Sequence, residues 1–296
     1  LMALRRQEPD RVPIFEFIID PHVIEGLVPG ASYPEFTQVM GIDCVITPTP
    51  SSLYRQEIIS QTERQVVLRT EWGETRVKTV EQVPIPVAHP VRTKADWANY
   101  RIPDANAAGR LQVLADLVAR WGGQKAVGVH LHDAFSYPSY ILGMTELFIN
   151  LVDDPAWVHE IIEATVEHNI QMVRNAARLG ADFVVLGDDY GGKSGPMMSP
   201  KHFETFFLPG MQRVVQAAKE SGLYVIKHTD GNVNSILSMM VATGIDGFHP
   251  SDPSAGMDIV KVKQTYGDRL CVLGGIDTGD PLSRWPVTDL IAEVRR

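Results

Sequence analysis

The chain has 296 residues, of which 44% are hydrophobic and 21% charged, as expected for a folded domain with a substantial core. Its formal charge of -9 argues against nucleic-acid backbones and anionic membranes as partners. No stretch approaches the ~20 consecutive apolar residues of a membrane helix. Cys44 and Cys271 each lie in an apolar run without Cys-x-x-Cys spacing, which predicts a cytoplasmic protein with two reduced core thiols.

Short apolar runs that end in polar or glycine residues recur along the chain and predict parallel strands covered on both faces. The predicted strands are residues 12–18, 43–48, 126–132, 182–187, 224–228, 245–249 and 270–275. One segment breaks this rhythm, because residues 64–80 alternate in polarity and turn near Gly73. We predict a β-hairpin there, inserted after the second strand.

Amphipathic segments with helix-start signals separate the strands. Asp154 before Pro155 and Ser199 before Pro200 each place an N-cap residue ahead of a first-turn proline. Pro209 is expected to kink or split the second of these helices. The alternation of strands and helices predicts a single (β/α)8 TIM barrel over residues 1–296, with its last strand expected to lie outside this chain.

The segment GDDYGGKS (187–194) matches the phosphate-loop pattern, in which Lys and Ser begin a helix that faces the phosphates. Here Gly195 and Pro196 follow at once, and the next plausible helix start is Ser199. We therefore interpret the match as accidental and predict that ATP and GTP do not bind there. The informative part of the loop is the pair Asp188 and Asp189.

Nearly every predicted strand ends in an acid or a histidine, at the end of the barrel where active sites lie. The acids and histidines are Glu16, Asp20, His130, His132, Asp133, Asp188, Asp189, His228, Asp230, His249 and Asp277, and the second strand ends in Thr47. Asp230 and Asp277 are each equally consistent with helix caps. Together the residues predict an acidic, histidine-rich cavity suited to proton transfer or metal binding.

The segment GADFVVLGDDYGGKSGPMMSPKHFETFFLPG (180–210) resembles the central motif of the uroporphyrinogen decarboxylase superfamily. Five further segments resemble that superfamily in the same order along the chain: EPDRVPI (8–14), EWG (71–73), HTDGN (228–232), GIDGFHPSDPSAGMD (244–258) and GDRLCVLGGID (267–277). The resemblance covers nearly the whole chain. It implies a (β/α)8 barrel with a deep cavity at its C-terminal face, and it suggests a homodimer.

The superfamily contains decarboxylases that act on a tetrapyrrole without a cofactor. In that pattern an arginine-rich stretch after the first strand holds the substrate carboxylates. This chain has FEFIIDPHVIEG instead, with Glu16, Asp20 and Glu25 and no arginine. A counterpart of the decarboxylase tyrosine is Tyr140 or Tyr137.

Other members are methyltransferases that bind zinc and move a methyl group between a corrinoid protein and a thiol. Their His-x-Cys-Gly motif corresponds to residues 228–231, where His228 and Gly231 match and Asp230 replaces the cysteine. His228 and Asp230 are therefore predicted metal ligands, for zinc or a harder divalent ion. The alternative is that His228 only bonds a neighbouring carboxylate.

The residues and the resemblance together predict methyl transfer or demethylation of a small substrate, with a corrinoid protein as partner. The predicted catalytic residues are Asp188, Asp189, His228 and Tyr140, and the predicted substrate-binding residues are Glu16, His132, His249 and Asp277. One alternative is a cofactor-free decarboxylase of uroporphyrinogen or a related acid, in which a carboxylate or Tyr140 assists. The other is a barrel that binds a ligand without catalysis.

Overall fold

A parallel and an antiparallel sheet make up the β-structure of the computed structural model, which describes residues 1–79 and 84–295. The parallel sheet has the spatial order β1 (Cys44–Thr47), β6 (Ala126–Leu131), β7 (Phe183–Leu186), β8 (Tyr224–His228), β9 (Gly247–His249) and β10 (Cys271–Val272). The antiparallel sheet has the order β2 (Glu57–Gln61), β3 (Val66–Arg69), β4 (Thr75–Lys78) and β5 (Ile85–Ala88).

Helices connect the parallel strands and cover the sheet, which gives the chain the TIM-barrel fold predicted from its sequence. The helices are α1 (Pro21–Leu27), α2 (Tyr33–Val39), α3 (Lys94–Asn99), α4 (Gln112–Trp121), α5 (Ser136–Leu142), α6 (Met144–Asp153), α7 (Pro155–Arg178), α8 (Pro200–His202), α9 (Leu208–Glu220), α10 (Leu237–Ala242), α11 (Ile259–Tyr266), α12 (Asp280–Arg284) and α13 (Val287–Arg295). No helix in the described part of the chain combines the length and apolar character that a membrane crossing requires.

Six of the seven predicted parallel strands are present, and the prediction of a strand at residues 12–18 is wrong. That segment is extended but pairs with no strand among the described residues. The Asp43 carboxylate accepts the Ile14 N–H (2.7 Å), and the Ile14 carbonyl accepts the Asp43 N–H (3.0 Å). A side chain thus takes the place of a ladder partner, and Pro13 has no N–H to offer a ladder.

The predicted hairpin is confirmed, as the centre of a larger sheet. Strands β3 and β4 pair from Val66 opposite Lys78 to Arg69 opposite Thr75, and Gly73 turns between them with φ of 78°. Strands β2 and β5 flank this pair on either side. Position 80, the last residue of the predicted hairpin, lies outside the described residues.

Both predicted helix starts are confirmed. The Asp154 side chain accepts the Trp157 N–H at the start of α7, and Ser199 accepts the His202 N–H at the start of α8. Between α8 and α9 lies one π-helical segment, Phe203–Phe207, which ends immediately before Leu208-Pro209. This wider turn is the predicted interruption near Pro209.

The glycine loop after β7 packs against the loop after β8. No helix begins at Lys193, and the first helix of this region starts at Pro200 as predicted. A Cβ atom at Gly191 would lie 2.3 Å from the Asp230 carbonyl oxygen, so only glycine permits this approach of the two backbones. The Asn232 N–H completes the contact by donating to the Gly192 carbonyl (2.8 Å).

The barrel core is apolar and the two cysteines belong to it. Val127, Val184 and Val225 on three adjacent strands are fully buried. Cys44 is buried and Cys271 half-buried, and both are free thiols, which agrees with the prediction made from their apolar surroundings.

Candidate active site

A cavity of about 340 Å³ opens at the C-terminal ends of strands β6, β7 and β8. Its lining residues are Phe17, Ile18, Thr49, Ser51, Ser52, Thr70, Trp72, Arg76, His130, His132, Tyr140, Gly187, Asp189, His228 and Asp230. The cavity therefore lies between the barrel strands and the β3–β4 hairpin. This is the end of the barrel at which the sequence places the functional residues.

Asp188 lies behind the cavity wall and orients His132. Its carboxylate is fully buried, and one oxygen lies 2.7 Å from His132 Nδ1. The other oxygen accepts backbone N–H groups of the segment after β6, including that of Phe135 (2.7 Å). Burial is the largest single effect and opposes the charge, but His132, Lys227 and the Ser136 hydrogen bond together outweigh it and lower the pKa of Asp188. Asp188 is thus an ionised anchor that fixes the His132 ring.

A buried ion pair lies below this anchor. Lys227 and Asp133 are both fully buried, with 2.7 Å between Lys227 Nζ and an Asp133 oxygen. Lys227 also donates to the Asp188 carbonyl (2.8 Å), and the Tyr190 hydroxyl donates to Asp133. Burial, reinforced by the Asp188 charge, raises the pKa of Asp133 to about 6. The pair ties the ends of β6, β7 and β8 together.

Asp189, His228 and Asp230 form a potential metal centre on the cavity wall. Each offers one ligand atom, and the three atoms lie within 4.8 Å of one another. His228 Nε2 lies 3.6 Å from an Asp189 oxygen and 3.8 Å from an Asp230 oxygen. The Asp230 N–H also donates to the Asp189 carboxylate (2.9 Å), which fixes that side chain.

The electrostatics of this group favour a bound cation. Burial raises the pKa of both carboxyls, to about 6 for Asp230, where the nearby Asp189 charge adds to the effect. Burial lowers the pKa of His228 well below its usual value, so this ring is neutral near pH 7. His228 Nδ1 lies 2.8 Å from His249 Nδ1, which leaves Nε2 for the cavity. Metal-binding histidines are commonly held in this way through their second nitrogen.

His130 lies between these two groups. Its Nδ1 is 2.8 Å from the Thr49 hydroxyl, while its buried Nε2 has no hydrogen-bond partner within the described ranges. Burial lowers the pKa of His130 to about 3, so the ring is neutral. A Cβ at Gly187 would lie 2.0 Å from His130 Nε2, so glycine is required at that strand end.

The hairpin contributes a positively charged side chain, Arg76, which was not predicted to belong to the site. The Arg76 guanidinium lies 4.4 Å from the centre of the Tyr140 ring, and its Nε donates to the buried Glu74 (2.5 Å). Burial raises the pKa of Tyr140, whose phenol therefore keeps its proton. The period-2 pattern of residues 64–80 was a usable signal, because it places Arg76 on the same face as Glu74, next to the turn that carries Trp72.

The structure brings most predicted site residues together. Asp189, His228, Asp230, His132 and Tyr140 line the cavity. Asp188 and His249 lie directly behind it, each bonded to a lining histidine.

Two predicted residues lie elsewhere, because neither Glu16 nor Asp277 lines the cavity. Glu16 is exposed on the extended segment that replaces the first predicted strand. Asp277 accepts the Gly279 N–H (2.7 Å) in the turn before α12, but the N-cap of that helix is Gly279, so the alternative interpretation of Asp277 as a helix cap is wrong as well. Asp230 also caps no described helix, but it faces the cavity.

Comparisons with known proteins identify two kinds of enzyme among the relatives. A methylcobamide:CoM methyltransferase, MtbA, from Methanosarcina acetivorans is 22% identical over 250 residues, which are 83% of this chain and 73% of that protein. A uroporphyrinogen decarboxylase from Trichodesmium erythraeum is 28% identical over 127 residues, which are 42% of this chain and 34% of that protein.

The fold and the family agree with these relatives. The solved structure of a methyltransferase from Methanosarcina mazei superposes with a TM-score of 0.75 and 18% identity, covering 100% of this chain and 87% of that one. At that identity the match shows the fold alone. The sequence model of the family described as uroporphyrinogen decarboxylase (URO-D) matches residues 1–296. The chain therefore belongs to the uroporphyrinogen decarboxylase family.

Proposed function

We propose that the protein transfers a methyl group to or from a small substrate, with a corrinoid protein as partner, beside a divalent metal ion. The observation that carries this proposal is the convergence of Asp189, His228 and Asp230 on one point of the cavity wall. Two methylcobamide:CoM methyltransferases match 83% and 82% of this chain, more than the 42% matched by the Trichodesmium decarboxylase, which supports methyl transfer over the other chemistry of the family.

The residues present fit a metal ion. Two carboxylates and one imidazole are ligands that Zn²⁺ accepts, and three protein ligands leave a position open for a substrate. Burial raises the pKa of Asp189 and of Asp230, where the Asp189 charge adds to the effect, and a bound cation would lower both values. A bound metal would act as a Lewis acid that polarises the substrate atom carrying or receiving the methyl group.

The protein's own residues suit proton transfer next to this group. His132 lines the cavity, and Asp188 fixes its ring by holding Nδ1. Asp188 itself is fully buried, which separates it from the cavity. We therefore assign proton transfer to His132, which was predicted to bind substrate, and orientation of its ring to Asp188, which was predicted to be catalytic.

Metal binding and methyl transfer test the proposal together. Elemental analysis and zinc titration should find about one ion per chain in the wild type and none in His228→Gln. His202→Gln is the matched control, because His202 lies in α8 and outside the cavity. Methylcobalamin with a thiol acceptor should lose its methyl group, followed by absorbance, only with the metal-loaded protein. A metal-free protein, or equal metal binding by both variants, would contradict the proposal.

Cofactor-free decarboxylation is the second candidate, and Arg76 is the observation that favours it. The Arg76 guanidinium is able to hold a carboxylate, and the phenol of Tyr140 beside it keeps a proton to donate. The cavity of about 340 Å³ lies at the small end of ligand sites, which favours a small acid over a tetrapyrrole. CO₂ release from uroporphyrinogen by metal-free protein would favour this candidate. Absence of both activities would favour the ligand-binding barrel.

A further inference from the structure

The hairpin side of the cavity offers hydrogen-bond donors and a positive charge. Thr70, Trp72 and Arg76 all come from the β3–β4 hairpin and line the cavity. The opposite wall carries the carboxylates of Asp189 and Asp230. The hairpin end of the cavity therefore presents N–H and O–H donors, including the guanidinium of the Arg76–Glu74 pair, and the barrel end presents carboxylates.

The two ends are separated by a row of rings. Successive centroid distances are 5.7 Å from Tyr140 to His132, 5.2 Å from His132 to His130, 4.8 Å from His130 to Phe17 and 4.7 Å from Phe17 to His228. Arg76 stacks on the first ring of this row, and His228 is the last. An occupant that touches both ends therefore lies along these rings.

Two buried donors at the hairpin end lack partners. Thr70 Oγ1 and Trp72 Nε1 are buried and make no hydrogen bond to any residue that the structure describes. Buried polar groups are nearly always paired, so each unpaired one requires an explanation. Trp Nε1 and the Arg guanidinium can only donate, and a Thr hydroxyl can do so. The missing partner is therefore an acceptor, and next to Arg76 an anionic one.

Arg76 has a structural task as well, since it neutralises Glu74, which is 1% exposed. The pairing with Glu74 leaves other N–H groups of the guanidinium available. Glu74 is bonded to Nε, and the group has five N–H donors in a fixed plane. The Arg76 side chain is 19% exposed, on the cavity side of the hairpin.

We infer that the hairpin end of the cavity binds the carboxylate of a small acid, with Arg76 as its main contact and Thr70 and Trp72 as further donors. The inference rests on the proposed function for the other end, where the reacting atom of the same acid faces Asp189, His228 and Asp230. The substrate class is then a small carboxylic acid, as the cavity of about 340 Å³ requires. The acidic side chain of Glu16 does not argue against an anionic ligand, because Glu16 lies outside the cavity.

Titration calorimetry with benzoate and benzamide tests the carboxylate site directly. These probes share size and shape and differ in charge, so wild-type protein should bind benzoate at least about 10-fold more tightly. Arg76→Gln should weaken benzoate by roughly 10- to 100-fold, the loss expected for hydrogen bonds to a charged group. Arg69→Gln is the matched control, because Arg69 is exposed on the neighbouring strand and pairs with Glu57. It should bind benzoate as the wild type does.

Glu74→Gln separates ligand binding from a purely structural pair. It removes the counter-charge and leaves the guanidinium, so benzoate should bind as tightly as to the wild type or more tightly. If Arg76→Gln fails to fold with Glu74 left unpaired, the double variant Glu74→Gln/Arg76→Gln replaces it, with its thermal midpoint checked first. It should lose benzoate binding while Glu74→Gln retains it.

Three results would overturn the inference: no benzoate binding by the wild type, equal binding of benzoate and benzamide, or equal losses in Glu74→Gln and Arg76→Gln. These measurements use metal-free protein without a corrinoid, so they do not depend on methyl transfer. Benzoate binding through Arg76 in a protein that transfers no methyl group would retain the carboxylate site and reject the proposed function. Methyl transfer without benzoate binding would retain the proposed function and reject the carboxylate site.

Discussion

Replacing Lys227 by Met should destabilise the protein strongly, because its ammonium lies in the fully buried network below the cavity. Lys227 Nζ is 2.7 Å from the Asp133 carboxylate and 2.8 Å from the Asp188 carbonyl. Both charged groups of the pair are fully buried. Breaking such a pair from one side leaves an uncompensated charge and costs about 3–5 kcal/mol of unfolding free energy.

The pH dependence of this cost is a sharper signature than its size. Asp133 has a folded-state pKa of about 6, raised by burial above its value of 3.8 in the unfolded chain. A raised carboxyl pKa means that the folded state loses stability as pH rises from about 4 to 6, and no further loss occurs once Asp133 is ionised. Lys227 lowers this pKa, so it rises further in Lys227→Met. Above pH 6 the variant therefore continues to lose stability, by up to about 1.4 kcal/mol per pH unit.

Urea unfolding at pH 6, 7 and 8 measures both effects. The difference between wild type and Lys227→Met should be largest at pH 8, and adding Asp133→Asn to the variant should remove its extra pH dependence. Lys94→Met is the control, because Lys94 pairs with Asp154 at the surface with 66% of its side chain exposed. Its small effect should not change over this range. A Lys227→Met cost below about 1 kcal/mol, or one independent of pH, would refute the buried-charge reasoning.

Three further predictions concern single positions. Gly231→Ala should lower the thermal midpoint much more than Gly222→Ala, although both glycines have φ near +80°. A Cβ at Gly231 would lie 2.5 Å from a backbone carbon, whereas a Cβ at Gly222 would have no described atom within 4 Å. Strain alone, at Gly222, should cost about 1–2 kcal/mol. Asp188→Asn should have a lower free energy of unfolding than the wild type at pH 7. This difference in unfolding free energy should shrink below about pH 4, because Asp188, with its lowered pKa, stabilises the fold only while it is ionised. Asp258→Ala should cost about 0.5–2 kcal/mol in urea unfolding, since Asp258 accepts two N–H groups at the start of α11.

The barrel strands and helix starts could be predicted because their signals are local. Apolar runs mark the six parallel strands, and an N-cap before a proline marks the start of α7 and of α8. The segment 12–18 has the same apolar character but fails as a strand, since the Asp43 carboxylate takes the Ile14 N–H. That competition depends on a contact between distant residues, which the sequence pattern of either segment does not contain.

The site was predictable as a set of strand ends, but its division of roles was not. The side chains of the neighbours Asp188 and Asp189 have different partners. Asp188 contacts His132 behind the cavity wall, whereas Asp189 lies near His228 on the wall itself. Alternation along an extended chain requires that they point to opposite sides, but not which of them faces the cavity. The contribution of the hairpin to the cavity was not predicted, because Arg76 belongs to an element outside the barrel.

The charges around the cavity are consistent with one explanation of its chemistry. The barrel side compensates Asp188 by His132 and Asp133 by Lys227, and these groups are fully or nearly fully buried. Asp189 and Asp230 are half-exposed, and burial of their remaining surface raises the pKa of both. They lie on the cavity wall opposite a guanidinium on the hairpin. In the proposed function these carboxylates would hold a cation, and the guanidinium would bind an anionic substrate.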